Sequence, residues 1–264
     1  MALRISPGLQ NFIAEKGSWK TAFDNGSIEI YTGTQPATAD LAVTGTLLVT
    51  LTSGGGAKTN EVASQGTLTL NSGASGSVDT LTVNSIEIMG SATPFNTSLT
   101  QTAADIALKC NRNPKNYLYH VTSSGAVITI TALPGMGTLP NGWVVAATYT
   151  TIAGTAANMG SGGAATAGVL AANGLLLDYN ATAGLITKDV TQTWSGTAVA
   201  TGTAGWFRYK GSVVDAGALD SSAVFLRLDG NVATSGANMN MSSTSITSGA
   251  LQTLSTFSFT VPAA

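Results

Sequence analysis

The chain has 264 residues, enough for one large β domain or two domains of ordinary size, and 44% of them are hydrophobic. Only 9% are charged and the formal net charge is −2, so the composition excludes an intrinsically disordered chain and lacks the clustered cations that bind nucleic acid. The single cysteine, Cys110, excludes an intrachain disulfide.

The N-terminal segment predicts one short helix. Apolar side chains at Leu9, Phe12 and Ile13 follow helical spacing. Ser6 is suited to cap a helix that runs over residues 7–16. Polar residues interrupt the apolar stretch that a signal peptide needs, and no run approaches the roughly 20 apolar residues of a membrane span. We therefore expect a protein made in a cytoplasm, without a membrane partner.

Short strands separated by small-residue turns are predicted towards both ends of the chain. An Asn25–Gly26 turn precedes the alternating segment 28–31, and an aliphatic run predicts a buried strand at 47–51. After the middle of the chain, predicted strands are 175–179, 191–193, 205–209, 224–228, 237–241 and 254–261. The last one alternates strictly from Ser255 to Val261.

The middle of the chain mixes strands with one convincing helix. Strands are predicted at 66–70, 79–83, 86–88, 117–121, 126–130 and 143–149. The helix follows Pro94, because Leu99, Ala103, Ile106, Ala107 and Cys110 recur on one helical face and Thr97 or Ser98 can cap it. Glycine-rich stretches at 53–56 and 160–164 border this region.

These patterns predict a mainly β protein in which one domain interrupts another. We expect a β-sandwich or jelly-roll-like outer domain made of residues 1–56 and 165–264, with a small inserted α+β domain at residues 57–164. Two domains in linear tandem are the competing layout. Both ends of the chain share short predicted strands with small-residue turns, which favours the insertion.

Residues suited to chemistry are scarce. His120 is the sole histidine and lies in a predicted strand, and Cys110 lies on the apolar face of the predicted helix, so a surface histidine and a buried thiol are the preferred interpretations. One His and one Cys are too few for a structural zinc site. Asp229-Gly230-Asn231 could offer oxygen ligands to calcium, but a hairpin turn is preferred. We predict no catalytic, cofactor or metal site.

The segment Trp206-Phe207-Arg208-Tyr209 is the best candidate for an interface. Alternation places Trp206 and Arg208 on one face of a strand and Phe207 and Tyr209 on the other. If one face is core, the other presents large side chains of the type that concentrate at interfaces, and we name Trp206, Arg208 and Tyr209 as possible interface residues. Burial of both faces is the equal alternative.

Several segments resemble a family of small structural proteins from tailed bacteriophages. They are LRISPGLQNFIAEKGSWKTAFDNG, IEIYTGTQPATADLAVTGTLL, TAGWFRYKG, FLRLDGNVATSGANMNMSSTSITSGA and the terminal LSTFSFTVPA, an ordered series within the two outer regions, which make up a little over half of the chain. The segment between them, with TLTVNSIEI and TAADIALKCNRN, resembles a small module of phage virion proteins. The resemblance implies a virion component and carries no catalytic residue onto this chain.

The resemblance and the low charge lead to one preferred hypothesis. A folded protein with so few charges is more plausibly covered by partners than left free. We expect a non-enzymatic decoration or cement protein on the outer capsid, with the major capsid protein and copies of itself as partners, in a homo-oligomer for which a trimer is one form. A tail, neck or baseplate component and a glycan- or receptor-binding module are the alternatives.

Overall fold

The computed structural model describes residues 3–15, 17–162, 164–178 and 184–260. The chain is mainly β, with 41% of it in strands and 11% in helices, and its sheets are consistent with a sandwich-like fold. It divides into two compact units. One, here called the split unit, contains residues 1–61 and 171–264, and the other, the middle unit, contains residues 62–170.

The helices are α1 (Pro7–Glu15), α2 (Trp19–Phe23) and α3 (Leu99–Arg112). In chain order the strands are β1 (Arg4–Ile5), β2 (Ser27–Thr32), β3 (Leu47–Ser53), β4 (Gln65–Ser72), β5 (Ser77–Val83), β6 (Ile86–Glu87), β7 (Thr93–Pro94), β8 (Tyr119–Ser124), β9 (Val127–Ala132), β10 (Val145–Thr150), β11 (Ala153–Ala157), β12 (Leu185–Thr187), β13 (Trp194–Thr197), β14 (Gly202–Lys210), β15 (Arg227–Ala233), β16 (Met239–Asn240), β17 (Ser245–Ile246), β18 (Leu251–Leu254) and β19 (Ser258–Thr260).

The N-terminal helix forms as its local signals predict. Ser6 is confirmed as the cap of α1, because its Oγ accepts a hydrogen bond from the backbone N–H of Leu9 at 3.1 Å. Lys16, the predicted last residue, lies outside the described residues. A second short helix, α2, was not predicted. It begins at a capping box in which the side chains of Ser18 and Thr21 each accept from the other's backbone N–H.

A nine-stranded sheet organises the split unit. Its main path runs β1-β15-β14-β2-β3-β13-β18, with β16 beside β15 and β17 beside β14. β14 therefore lies between two full neighbours, and its register places Arg208 opposite Glu29 on one side and Asp229 on the other. The pairing of β14 with β2 contains a bulge at Gly205. This position requires glycine, because a Cβ there would stand 1.9 Å from the carbonyl oxygen of Gly33.

An aromatic cluster fills the core of the split unit. Phe257 contacts Trp194, Phe207 and Tyr209, with ring centroids 5.6–5.9 Å apart. Phe259, on the two-stranded sheet β12–β19, belongs to the same core. Stacked and edge-on aromatic pairs of this kind add to the stabilisation from burial alone.

The middle unit contains two four-stranded sheets and one helix. One sheet runs β10-β5-β6 with β7 beside β5, and the other runs β11-β4-β9-β8. Ser98 caps α3, which buries the predicted stripe of Ala103, Ile106, Ala107 and Cys110. Thr102 is buried with them. Within the described part of the chain, no helix combines the length and apolar character needed to cross a membrane.

Several predicted features of the split unit are wrong. Asp229-Gly230-Asn231 is not a turn but the middle of β15, paired with Trp206–Arg208 of β14. Residues 191–193 precede a strand that begins at Trp194. The final strand is two strands, because β18 pairs with β13 and β19 pairs with β12, and residues 255–257 between them carry Phe257 into the core. Val261 lies outside the described residues.

The segment predicted as a strand at 175–179 forms only isolated bridges. Leu175 bridges to Gly26 and Leu177 bridges to Lys188, while both side chains enter the core. Tyr179 lies outside the described residues. These contacts bury the apolar side chains without a continuous ladder, so the alternation in sequence reports burial rather than strand pairing.

The chain passes between the two units in neighbouring antiparallel segments. Thr59 pairs with Ala172 in the split unit, and Val62 pairs with Val169 in the middle unit. The boundaries therefore fall at 61/62 and 170/171, against the predicted 56/57 and 164/165.

Candidate functional site

The predicted interface residues lie in the interior of the split unit. Trp206, Arg208 and Tyr209 are each 0% exposed. Alternation along β14 is as predicted, with Phe207 and Tyr209 in the aromatic core. The opposite face is covered as well, by loop backbone and by buried charged side chains, so the prediction that these three residues face a partner is corrected. Trp206 and Arg208 instead hold a loop that covers their face of the sheet, and Tyr209 belongs to the aromatic core.

Arg208 and Asp229 form the first buried ion pair of this site. They lie opposite each other on β14 and β15. The Nε of Arg208 donates to Oδ1 of Asp229 at 2.8 Å and its Nη2 donates to Oδ2 at 2.7 Å. Burial raises the pKa of the Asp229 carboxyl, while the hydrogen bonds and charge of Arg208 act in the opposite direction. The remaining terminal nitrogen, Nη1, donates to the carbonyl oxygen of Leu41 at 3.0 Å.

Arg227, two residues before Asp229 on β15, forms a second bidentate ion pair, with Asp215 of a loop. Their two hydrogen bonds measure 2.7 and 2.6 Å, and Nη1 of Arg227 donates to the carbonyl oxygen of Asp40 at 3.1 Å. Burial pushes the pKa of Asp215 upward, but the hydrogen bonds from Arg227 and from the Gly217 N–H outweigh it and hold the pKa below its ordinary value. Bidentate pairs like these fix direction as well as distance.

Residues 36–44, here called the anchored loop, receive hydrogen bonds from four buried or partly buried side chains. Besides Arg208 and Arg227, Arg4 donates to the carbonyl oxygen of Pro36, and Nε1 of Trp206 donates to that of Thr44 at 3.2 Å. Trp206 in turn stacks on Tyr31, with ring centroids 4.6 Å apart. Because side chains of the sheet bind its backbone along its whole length, the loop has one defined conformation.

Residues 213–224, here called the adjoining loop, pack beside the anchored loop. The N–H of Val43 donates to the carbonyl oxygen of Gly217 at 2.9 Å, and the N–H of Asp220 donates to that of Asp40 at 2.8 Å. Oδ2 of Asp220 then accepts from the N–H groups of Val224 and Phe225 at 2.9 and 2.8 Å. All three aspartates of the two loops are thus at least partly buried.

We call the exposed part of the two loops the paired-loop surface. None of its exposed residues is charged, Asp40 of the anchored loop is half-buried, and both loops are described throughout. Its exposed residues are Ala37, Thr38, Leu41, Ala42, Thr44, Val214, Ala216, Ala218, Leu219, Ser221, Ser222 and Val224. The larger apolar members are well exposed, at 58% for Leu219, 61% for Val224 and 63% for Val214. Contiguous exposed apolar groups with hydroxyls between them are typical of a contact surface for another protein.

A polar pocket of about 230 Å³ lies near these loops, in the split unit. Lys210 pairs with Glu29 at 2.6 Å, and Lys58 donates to Oδ1 of Asn60 at 2.7 Å and to the carbonyl oxygens of residues 211 and 212. Burial, with the charge of Lys210, lowers the pKa of Lys58 to about 8. Both ammonium groups are bound to oxygen atoms of the protein, and Lys58 thereby links the segment around residue 58 to residues 211 and 212.

The other residues singled out in the sequence lie apart from this site. His120 is exposed on β8, which lies at the end of its sheet, as the sequence predicts. Cys110 is fully buried in the core of the middle unit. Among the described residues, no group of three or more His, Cys, Asp or Glu side chains could hold a metal ion.

The buried ion pairs were missed at the sequence level, although one signal pointed to them. Arg208 and Lys210 alternate along one apolar strand segment, and Arg227 and Asp229 alternate along another. In a chain with 9% charged residues, two such alternations of charge within hydrophobic strands indicate strands that pair and bury opposite charges between them.

The chain matches no model of a known protein family, and it matches no curated protein.

Proposed function

We propose that the protein is a non-enzymatic structural component of a bacteriophage particle, and that it decorates or cements the outer surface of the capsid. The proposal begins from the resemblance of its N-terminal, IYTGTQPATAD, GWFRYKG and FLRLDGNVATSG segments to phage structural proteins. Its partners would be the major capsid protein and further copies of this chain.

One observation supports this proposal above the others. The segments that carry the resemblance converge in space, because Arg4, Trp206, Arg208 and Arg227 all donate to the loop that completes IYTGTQPATAD. These segments lie far apart in the chain, yet together they build the paired-loop surface. A family pattern whose members jointly shape one preformed contact surface is what an assembly protein requires.

The physical character of this surface also fits assembly. Ordering a flexible loop on binding costs conformational entropy, and a loop already fixed by buried hydrogen bonds avoids most of that cost. The charged groups beneath the surface bind each other and backbone carbonyls. Their role in this proposal is to hold a contact surface in shape.

The copy number in purified particles tests the proposed location. Quantitative mass spectrometry with isotope-labelled standards gives the ratio of this chain to the major capsid protein. A decoration protein should be present in a fixed stoichiometry to the capsid lattice, and gold-labelled antibodies should cover the shell. A small fixed number of copies that purify with tail, neck or baseplate proteins would contradict the capsid location. A chain missing from particles would contradict the structural role altogether.

A further inference from the structure

The paired-loop surface has a chemical character that suits contact with a copy of itself. In a twofold contact between identical chains, every group faces a group from the same patch, so exposed charges of one sign would repel each other. The exposed residues of this surface carry no charge, although the whole chain has a net charge of −2. Of the three acidic groups of its loops, Asp215 and Asp220 are turned inward, and Asp40 is half-buried.

The hydrogen-bonding groups of the surface also favour contact with a second copy. Its polar side chains are the hydroxyls of Thr38, Thr44, Ser221 and Ser222. A hydroxyl both donates and accepts, so identical hydroxyl groups can bond to each other, whereas a carboxylate or an ammonium cannot pair with its own kind. Leu41, Leu219 and Val224 supply apolar surface that is equally able to pack against its own copy.

We infer that the paired-loop surface joins two copies of this chain across a twofold axis. The inference deepens the proposed structural role and rests on it for its setting in a particle. The anchored loop makes the contact economical, because Arg208 and Arg227 have already fixed its backbone in the single chain. Attachment to the shell would then use other parts of the molecule.

Sedimentation equilibrium over a range of concentrations tests the contact with the full chain. The wild-type protein should reach twice its 26.5 kDa mass. Leu219→Asp places like charges in the contact and should raise the dimer dissociation constant at least about tenfold, which corresponds to about 1.4 kcal/mol. Val199→Asp is the matched control, because Val199 is 66% exposed in the same unit but outside the two loops, and it should leave the constant unchanged.

Leu41→Ser provides a second variant that introduces no charge. It should weaken the dimer by a smaller factor than Leu219→Asp while near-ultraviolet circular dichroism remains that of the wild type. A monomer at every concentration, a trimer, or equal effects of Leu219→Asp and Val199→Asp would overturn the inference.

Particle assays on the same samples separate this inference from the proposed function. Wild-type protein that is monomeric but occupies particles would overturn the twofold contact and leave the structural role standing. A dimer that depends on Leu219 but never occurs in particles would do the reverse.

Discussion

Arg208 and Asp229 lie directly opposite each other on two central strands, joined by hydrogen bonds of 2.8 and 2.7 Å, and both side chains are 0% exposed. Removing two charges from water is costly, and the bidentate geometry offsets that cost only while both partners are present. The remaining terminal nitrogen of Arg208 donates a hydrogen bond to the carbonyl oxygen of Leu41. The pair therefore connects the sheet to the anchored loop.

Arg208→Met should destabilise the split unit by about 3–5 kcal/mol, because it leaves the Asp229 carboxylate buried without its partner. Urea unfolding monitored by tryptophan fluorescence measures this in a Trp143→Phe background, since the other three tryptophans, Trp19, Trp194 and Trp206, all lie in the split unit. The double variant Arg208→Met with Asp229→Leu is the control. It should be clearly more stable than the single variant, because it removes both charges. Equal stability of the two variants would contradict an ion pair that depends on mutual compensation.

Asp215 should make the stability of the split unit sensitive to acid. Its folded-state pKa lies below the ordinary value of 3.8, so the folded state binds this proton less tightly than the unfolded state does. Its contribution is complete above about pH 4 and is lost as the pH falls through the folded-state pKa. Asp215→Asn should therefore be much less stable than the wild type at pH 7, and the difference should shrink below pH 4.

Denaturant unfolding of both proteins between pH 7 and pH 3 measures this difference. Carboxylates common to the two proteins largely cancel in the comparison, and Ser222→Asn, in the same loop and exposed, is a control that should show no such pH dependence. If the difference between wild type and Asp215→Asn stays constant across the range, the ionised Asp215 carboxylate does not stabilise the folded state as predicted.

Local patterns predicted the elements whose signals are contained in a few neighbouring residues. The cap at Ser6, the stripe of α3 and the alternation of β4, β5 and β9 each depend on residues within one or two turns of each other. The mainly β class followed from these. Predictions failed where a partner strand decides the structure, as in the broken final strand around Phe257.

The candidate site was beyond local patterns for the same physical reason. Arg227 meets a backbone carbonyl 187 residues away in the chain, and Trp206 meets one 162 residues away. Sequence alternation showed that Trp206 and Arg208 share a face, but it could not show what covers that face. Large side chains with polar tips suit an exposed interface and a buried hydrogen-bonding layer equally well.

Lys58 should titrate well below an ordinary lysine. Burial and the nearby charge of Lys210 lower its pKa from 10.5 to about 8. NMR titration of the side-chain Nζ and Cε resonances, assigned with Lys58→Met, should give a midpoint near pH 8. Lys210→Met should raise that midpoint, because it removes a like charge and leaves Glu29 without its 2.6 Å partner. A midpoint near 10.5 in the wild type would contradict the burial of this ammonium.

The lowered pKa of Lys58 also predicts that stability rises with pH, in the same direction as at Asp215 but in an alkaline window. Between about pH 8 and pH 10.5 the unfolded chain binds this proton and the folded protein does not, so the free energy of unfolding rises with pH in that window. Lys58→Met should flatten the slope. Lys115→Met, which changes an exposed lysine of the middle unit, should leave it unchanged.

The two compact units should fold independently of each other. Each has its own buried core, and the chain crosses from one to the other in two adjacent antiparallel segments, so the ends at residues 61 and 171 lie close together. Residues 1–61 joined to 171–264 by a short Gly-Ser linker should therefore fold and keep the buried Trp194 and Trp206 shielded from quenchers. Residues 62–170 alone should unfold cooperatively.

Ile106→Ala, in the core of the middle unit, should destabilise that unit by about 2–5 kcal/mol in the full chain. The unfolding of the split unit, followed through Trp19, Trp194 and Trp206 in a Trp143→Phe background, should not change. An equal loss of stability in both units would show that they fold as one.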